Sequence, residues 1–193
     1  MQDAFAETMP VQEEGEEEFW ERLWSFPFTQ EEIRKYLDMV IYTIDFRSRH
    51  TVTHTMTTTS ISYELAKRLE ITRQQLSAVY FGALLHDLGK IGIPVEILEF
   101  PGKLSPQAMR VMRTHVELTE KILGQDVEEK IKRIALRHHE KMDGSGYPEG
   151  ISGKDLTMGE RIVAVADIVS ALAGTRSYKD AFPKERILSI INK

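Results

Sequence analysis

An all-α bundle of seven to nine helices is the fold that the sequence predicts, on three observations. Apolar residues recur at three- and four-residue spacing in segment after segment, while strictly alternating stretches are nearly absent. The segments open on capping residues such as Thr29, Thr72 and Ser105 and close at glycine or proline. A few ionisable residues sit inside the apolar patterns, which a helical core tolerates only around a shared partner.

The elements follow in order. Residues 1–18 hold Asp3, Glu7, Glu13, Glu14, Glu16, Glu17 and Glu18 with no Lys or Arg, and read as an acidic disordered tail. The net charge of -5 belongs to this tail, since the remainder is nearly neutral. Residues 19–45 form a helical packing or dimerisation element. EFWERLWSF puts Phe19, Trp20, Leu23 and Trp24 on one side and stops at Pro27, and Thr29 then caps a helix carrying Ile33, Tyr36, Leu37, Val40, Ile41 and Ile44. The main domain spans 46–193.

It begins awkwardly. HTVTHTMTTTS, residues 50–60, is rich in β-branched threonine and disfavours a helix locally. Yet His50 and His54, four apart, share a face only on a helix. ISYELAKRLEI continues as a helix with Ile61, Leu65 and Leu69 on one face. Thr72 caps the next, which carries Leu76, Val79, Tyr80, Ala83 and Leu84 into HDLGK. IGIPVEILEFPGKL reads as a loop. Ser105 starts a helix through Leu123, residues 127–140 form another ending in HHE, and DGSGYPEGISGK is a glycine-rich loop. ERIVAVADIVSALAG is a helix, and Pro183 opens the last.

Composition excludes several functions. There is no cysteine, so no disulfide and no thiolate chemistry; any metal must rest on His, Asp and Glu. No apolar run reaches about 18 residues, and the N-terminus lacks the basic start and apolar core of a signal peptide. A cytoplasmic protein without membrane contact is expected. No basic stripe suits long nucleic acid, whereas a small phosphorylated ligand needs only a few local cations.

The six histidines, His50, His54, His86, His115, His138 and His139, all lie in the middle of the chain. His86-Asp87 ends an apolar run, and a divalent cation would partner both; a solvated helix end is the plainer alternative. Asp167 is flanked by apolar residues in RIVAVADIVSALAG, so it needs a cation or several donors, an arginine included. The neighbours His138 and His139, read as helical, point apart and so address two ions. Gly144 and Gly146 permit close backbone approach to a ligand, and Tyr147 suits base stacking or donation to a phosphate.

HDLGK, the His in RTHVE, HHEKMDGSGYPEG, ISGK, ERIVAVAD and TRSYK, in this order, resemble the HD-GYP domain, a branch of the HD-domain phosphohydrolases. The resemblance runs from about residue 45 to residue 182. It implies an HD-domain helical bundle with two or three divalent ions, iron or manganese, in its core. It implies hydrolysis of cyclic di-GMP to linear pGpG and in some members on to GMP. The implied metal ligands are His54, His86, Asp87, His115, His138, His139 and Asp167. Asp87, whose two oxygens suit a bridge, and Lys90, against the scissile phosphate, would be catalytic. Arg176 and Lys179 would bind the ligand's phosphates. The loop from Gly146 through Tyr147 to Pro148 would shape the mouth and, in some members, meet a protein partner. The resemblance also makes the threonine stretch after His54 a helix, with packing overriding propensity.

The sequence departs from the pattern at four places. His50 stands where members with a third metal carry glutamate, leaving it three roles: a third-metal ligand, a hydrogen bond to substrate, or a solvated side chain. Ser170 replaces a usual aspartate, Lys141 a frequent arginine, and Ser177 a usual proline. The chain also stops soon after Pro183, where many members continue with another helix. Three functions compete on these grounds. The first is an active cyclic di-GMP phosphodiesterase using metal-activated water. The second is a slow relative serving as a cyclic-dinucleotide-binding or protein-interaction module. The third is a phosphohydrolase of another nucleotide.

Overall fold

The computed structural model describes residues 29–45, 52–174 and 181–191. The acidic tail, the tryptophan-bearing segment, His50, Arg176, Ser177 and Lys179 lie outside the described residues. The chain divides into two compact units, 1–38 and 39–193. The described residues hold nine α-helices, one short 3-10 helix and no strand. The helices are α1 Gln30–Asp45, α2 Val52–Arg68, α3 Arg73–Leu85, α4 Val95–Leu98, α5 Pro106–Arg113, α6 His115–Leu123, α7 Glu129–Leu136, α8 Met158–Ala173 and α9 Lys184–Ile191. The 3-10 helix, Leu88–Gly92, follows α3. No described helix is long and apolar enough to cross a membrane.

Local chemistry explains the helix starts. The hydroxyls of Thr72 and Thr157 accept the backbone N–H of Gln75 and Glu160, whose side chains reach back to the cap backbone. Thr29 and Glu32 make the same reciprocal pair, and Ser105 accepts from the Ala108 N–H with Pro106 behind it. Thr157 was not foreseen, although Thr followed three residues later by Glu is a capping signature in the sequence.

The apolar core joins α2, α3, α7 and α8 through Ala66, Ala78, Val79, Ala83, Ile134, Ile162 and Val163. Gly82 brings α3 onto α7: a Cβ there would lie 2.4 Å from Ile134 Cγ2. Ala66 shares this core with Ile162 and Val163, whereas His54, at the opposite end of α2, meets Ser170 near the end of α8. The two helices are therefore antiparallel. Both turn polar toward the same end of the bundle.

The threonine segment is helical, and its buried face is not the apolar one expected. Thr55, Thr58, Thr59, Ser62 and Ala66 are buried, Ile61 and Leu65 only half so, and Leu69 is 53% exposed beyond the helix end. Small side chains let α2 sit close to α3 and α8, and Thr59 discharges its hydroxyl onto the Thr55 carbonyl at 2.8 Å. Three boundaries also differ from expectation. The helix from Ser105 breaks at Thr114 into α5 and α6, the proline-bearing loop contains the single turn α4, and α7 ends at Leu136, so His138-His139-Glu140 lies in a turn and not on a helix.

Candidate metal centre

Three histidines are oriented by one local device. The last carbonyls of a helix lack an intrahelical donor. His86 caps the end of α3, His115 follows the end of α5, and His138 follows the end of α7. Each ring turns back, so that Nδ1 reaches the carbonyl three residues earlier: Ala83 at 2.6 Å, Met112 at 2.7 Å and Ala135 at 2.7 Å. A carbonyl only accepts, so Nδ1 carries the proton and Nε2 is the nitrogen turned toward the other side. The turn after α7 is thus what aims His138, in place of the helical divergence expected.

Those Nε2 atoms converge on two carboxylates. Asp87 Oδ2 lies 3.0 Å from His86 Nε2 and 3.7 Å from His54 Nε2, while Oδ1 lies 3.6 Å from His115 Nε2 and 3.9 Å from His138 Nε2. Asp167 Oδ1 is 2.9 Å from His54 Nε2 and 3.8 Å from His86 Nε2, and Oδ2 is 3.8 Å from His139 Nδ1. Each carboxylate straddles the cluster. Asp167, from α8, has histidines beside it and no arginine partner among the described residues. The ligand atoms fall into two groups, His54–His86–Asp87 and His115–His138–His139, within 4.8 Å in each. Lys90 Nζ, partly exposed, pairs with Asp87 Oδ2. Of the candidate ligands, only His50 cannot be placed.

The electrostatics suit a cation. Burial pushes His115 and His138 below the ordinary histidine range and His139 down to about 3, so these rings are neutral at neutral pH and offer lone pairs. Burial opposes charge on Asp87 and Asp167 too. The surrounding histidines, with Lys90 at Asp87, outweigh it and hold both carboxyls below the usual range. At His86 burial also disfavours charge, but the adjacent Asp87 prevails and favours a positive charge there. Two further observations test the fit. His86 Nε2 and Asp87 Oδ1 are buried without a hydrogen-bond partner, and His115 Nε2 faces His138 Nε2 at 3.4 Å, two lone pairs toward each other. Divalent ions among these atoms would satisfy all of them.

At the mouth, the glycine-rich loop folds over the HHE turn. The close approach foreseen for Gly146 is to the chain itself: a Cβ there would lie 2.5 Å from Glu140 Cα and 2.6 Å from the His139 carbonyl. Gly144 turns with φ 75°. The Tyr147–Pro148 peptide bond is cis. The Tyr147 ring lies 4.6 Å from the His139 ring at 31°, and the Arg113 guanidinium lies 4.6 Å from its centroid. Burial raises the Tyr147 pKa, so the phenol stays a neutral donor. Lys141 is exposed.

Sequence reasoning passed over Glu140. Buried, it accepts the N–H groups of Glu149 at 2.7 Å, Gly150 at 3.0 Å and Ile151 at 3.2 Å, anchoring the far side of the loop. The available signal was a carboxylate next to a glycine-rich stretch full of unpaired N–H groups. Glu140→Ala is expected to cost about 2 kcal/mol of stability by leaving those donors without an acceptor. Urea unfolding and limited trypsin cleavage after the exposed Lys141 measure it; an unchanged midpoint and cleavage rate would count against the anchor. Thr119 was also passed over: it accepts the Gly89 N–H at 2.9 Å and donates to the His86 carbonyl at 3.3 Å, tying the HDLGK turn to α6.

Comparison with known proteins agrees with this geometry. The HD domain family model matches residues 38–193. The chain is 34% identical over 165 residues to the cyclic di-GMP phosphodiesterase response regulator RpfG of Xanthomonas campestris pv. campestris, covering 84% of this chain and 44% of the relative. It is 38% identical over 147 residues to 3'3'-cGAMP-specific phosphodiesterase 2 of Vibrio cholerae, covering 75% of this chain and 28% of the relative. The chain thus spans less than half the length of these two relatives. The solved structure of Bd1817, a HDG"Y"P protein from Bdellovibrio bacteriovorus, superposes with a TM-score of 0.63 at 21% identity, covering 89% of this chain and 60% of that one; at that identity the likeness establishes the fold. With most of its length matched and the helical fold, the His/Asp cluster and the HHE–GYP segment in place, the chain belongs to the HD domain family, in its HD-GYP branch.

Proposed function

We propose that this chain is a metal-dependent phosphodiesterase that hydrolyses cyclic di-GMP to linear pGpG. The observation that carries the reading is the Asp87 carboxylate, with one oxygen toward His54 and His86 and the other toward His115 and His138. Such an arrangement would suit two divalent ions, which Asp167 and His139 would help to hold. Nitrogen and carboxylate donors without sulfur suit iron or manganese. When bound, the ions supply Lewis-acid polarisation of the phosphate and an acidified water. The chain's own residues do the rest. Lys90, the cation at the accessible edge of Asp87, neutralises charge developing on a non-bridging phosphate oxygen. Tyr147 donates from a phenol that stays protonated. Arg176 and Lys179 bind the ligand's phosphates, and the Gly146–Pro148 loop borders the dinucleotide.

The name of the Vibrio cholerae relative favours a second substrate, 3'3'-cGAMP, which shares the two phosphodiesters and differs in one base. The test is anaerobic purification, reconstitution with Fe(II) or Mn(II), and chromatography of each cyclic dinucleotide supplied alone and in competition. Linear product from cyclic di-GMP, several-fold slower in Lys90→Ala, is the expected result. Preferential consumption of 3'3'-cGAMP transfers the reading to that substrate. A fully metallated protein that cleaves neither sinks it.

A further inference from the structure

At position 170, where the family resemblance leads one to expect a carboxylate, the chain carries a serine, and the structure gives that serine a partner. Ser170 is buried on α8, three residues beyond Asp167 and near the same helix face. Its Oγ lies 3.0 Å from His54 Nδ1 and 3.3 Å from the His54 backbone carbonyl oxygen. A hydroxyl has one proton and two lone pairs. The carbonyl only accepts, so the hydroxyl proton goes to it. A lone pair is then left for the ring, which fits an Nδ1–H donating to it and leaves Nε2 free for a metal. Nε2 then faces inward, 2.9 Å from Asp167 Oδ1 and 3.7 Å from Asp87 Oδ2.

His54 needs this acceptor for a reason of position. His86, His115 and His138 each follow a helix end and use the carbonyl three residues earlier. His54 lies in the first turn of α2, where the unpaired backbone groups are N–H donors. A donor cannot receive an Nδ1–H; His115 also opens a helix but has the end of α5 directly before it, whereas the acceptor for His54 comes from α8. The antiparallel packing of α2 on α8 brings it from 116 residues away.

We propose that Ser170 is a positioning residue for His54. It holds the ring with Nδ1 protonated and Nε2 aimed between Asp87 and Asp167, standing in for the helix-end carbonyls that orient the other three histidines. The hydroxyl does this without adding a third buried negative charge beside Asp87 and Asp167. The consequence for metal affinity rests on the metal-centre reading above; the orientation of the ring does not.

The experiment compares Ser170→Thr with Ser170→Val, which match in volume and branching and differ in the hydroxyl. In the metal-free protein, NMR is expected to show a protected His54 Nδ1–H in wild type and Ser170→Thr and to lose it in Ser170→Val. Zinc titration against a competing chelator is expected to show Ser170→Thr within about threefold of wild type. Ser170→Val should be 10- to 100-fold weaker, the usual cost of removing an outer-shell partner. Urea midpoints equal between the two variants separate this loss from packing. An Nδ1–H that survives in Ser170→Val, or equal zinc affinity of the two variants, overturns the proposal. If wild type binds no zinc, the metal-centre reading fails, and the Nδ1–H comparison alone decides the role of Ser170.

Discussion

Asp87→Asn is expected to lower cyclic dinucleotide hydrolysis by about 10³-fold, a loss on the scale of removing a main electrostatic contact to the transition state. The asparagine keeps the volume and one acceptor oxygen, but it turns the other arm into an amide donor. Because the two arms face different histidine groups, one arm must confront Nε2 lone pairs with an N–H. The metal content should therefore fall, most at the group that the amide nitrogen faces. Metal analysis of the purified variant beside chromatography of the product checks both parts. An asparagine variant that retains full metal and more than a tenth of the activity would remove Asp87 from the centre of the reading. Lys90 would also lose its anionic partner, so circular dichroism must first establish that the variant is folded.

The second large effect is structural and lies one step from the site. Gly89→Ala should destabilise the protein by about 3 kcal/mol. A Cβ on Gly89 would fall 1.9 Å from the His115 carbonyl oxygen and 2.5 Å from the Thr119 nitrogen, both backbone atoms that cannot rotate aside. Relief requires α6 to move off the HDLGK turn. His115 opens α6, so the same movement carries a candidate ligand away from Asp87. Gly124→Ala is the comparison: nothing lies within 4 Å, but φ 60° with ψ -147° is a conformation essentially confined to glycine, so about 2 kcal/mol is expected, without loss of metal. Urea unfolding of the two variants, with metal content of each, tests the ranking. Equal midpoints would mean that the turn and α6 are less tightly joined than their contact implies.

The helices α3, α8 and α9 were legible because apolar periodicity is a local property of the chain, as is the Thr72 cap of α3. The inventory of the site was legible for a different reason. A carboxylate amid apolar residues, as at Asp167, has to be partnered, and six clustered histidines name the partner's chemistry. The buried face of α2 was not legible. Its threonines read as poor helix formers and its Ile61, Leu65 and Leu69 as a core stripe, yet close packing against α3 and α8 selects the small polar side and leaves Leu69 outside. The HHE segment misled in a similar way, since a helical pattern through residue 140 gives no sign that α7 stops at Leu136 and turns.

By itself, the sequence determined the helical class, the sulfur-free His/Asp chemistry and the HD-GYP motif order, all of which reside in residue type and spacing along the chain. Only the tertiary structure decided which nitrogen of each imidazole faces inward, which carboxylate oxygen serves which group, and that Ser170 answers His54. Those choices depend on where the nearest acceptor lies. For His54, that acceptor comes from a part of the chain the local sequence does not contain.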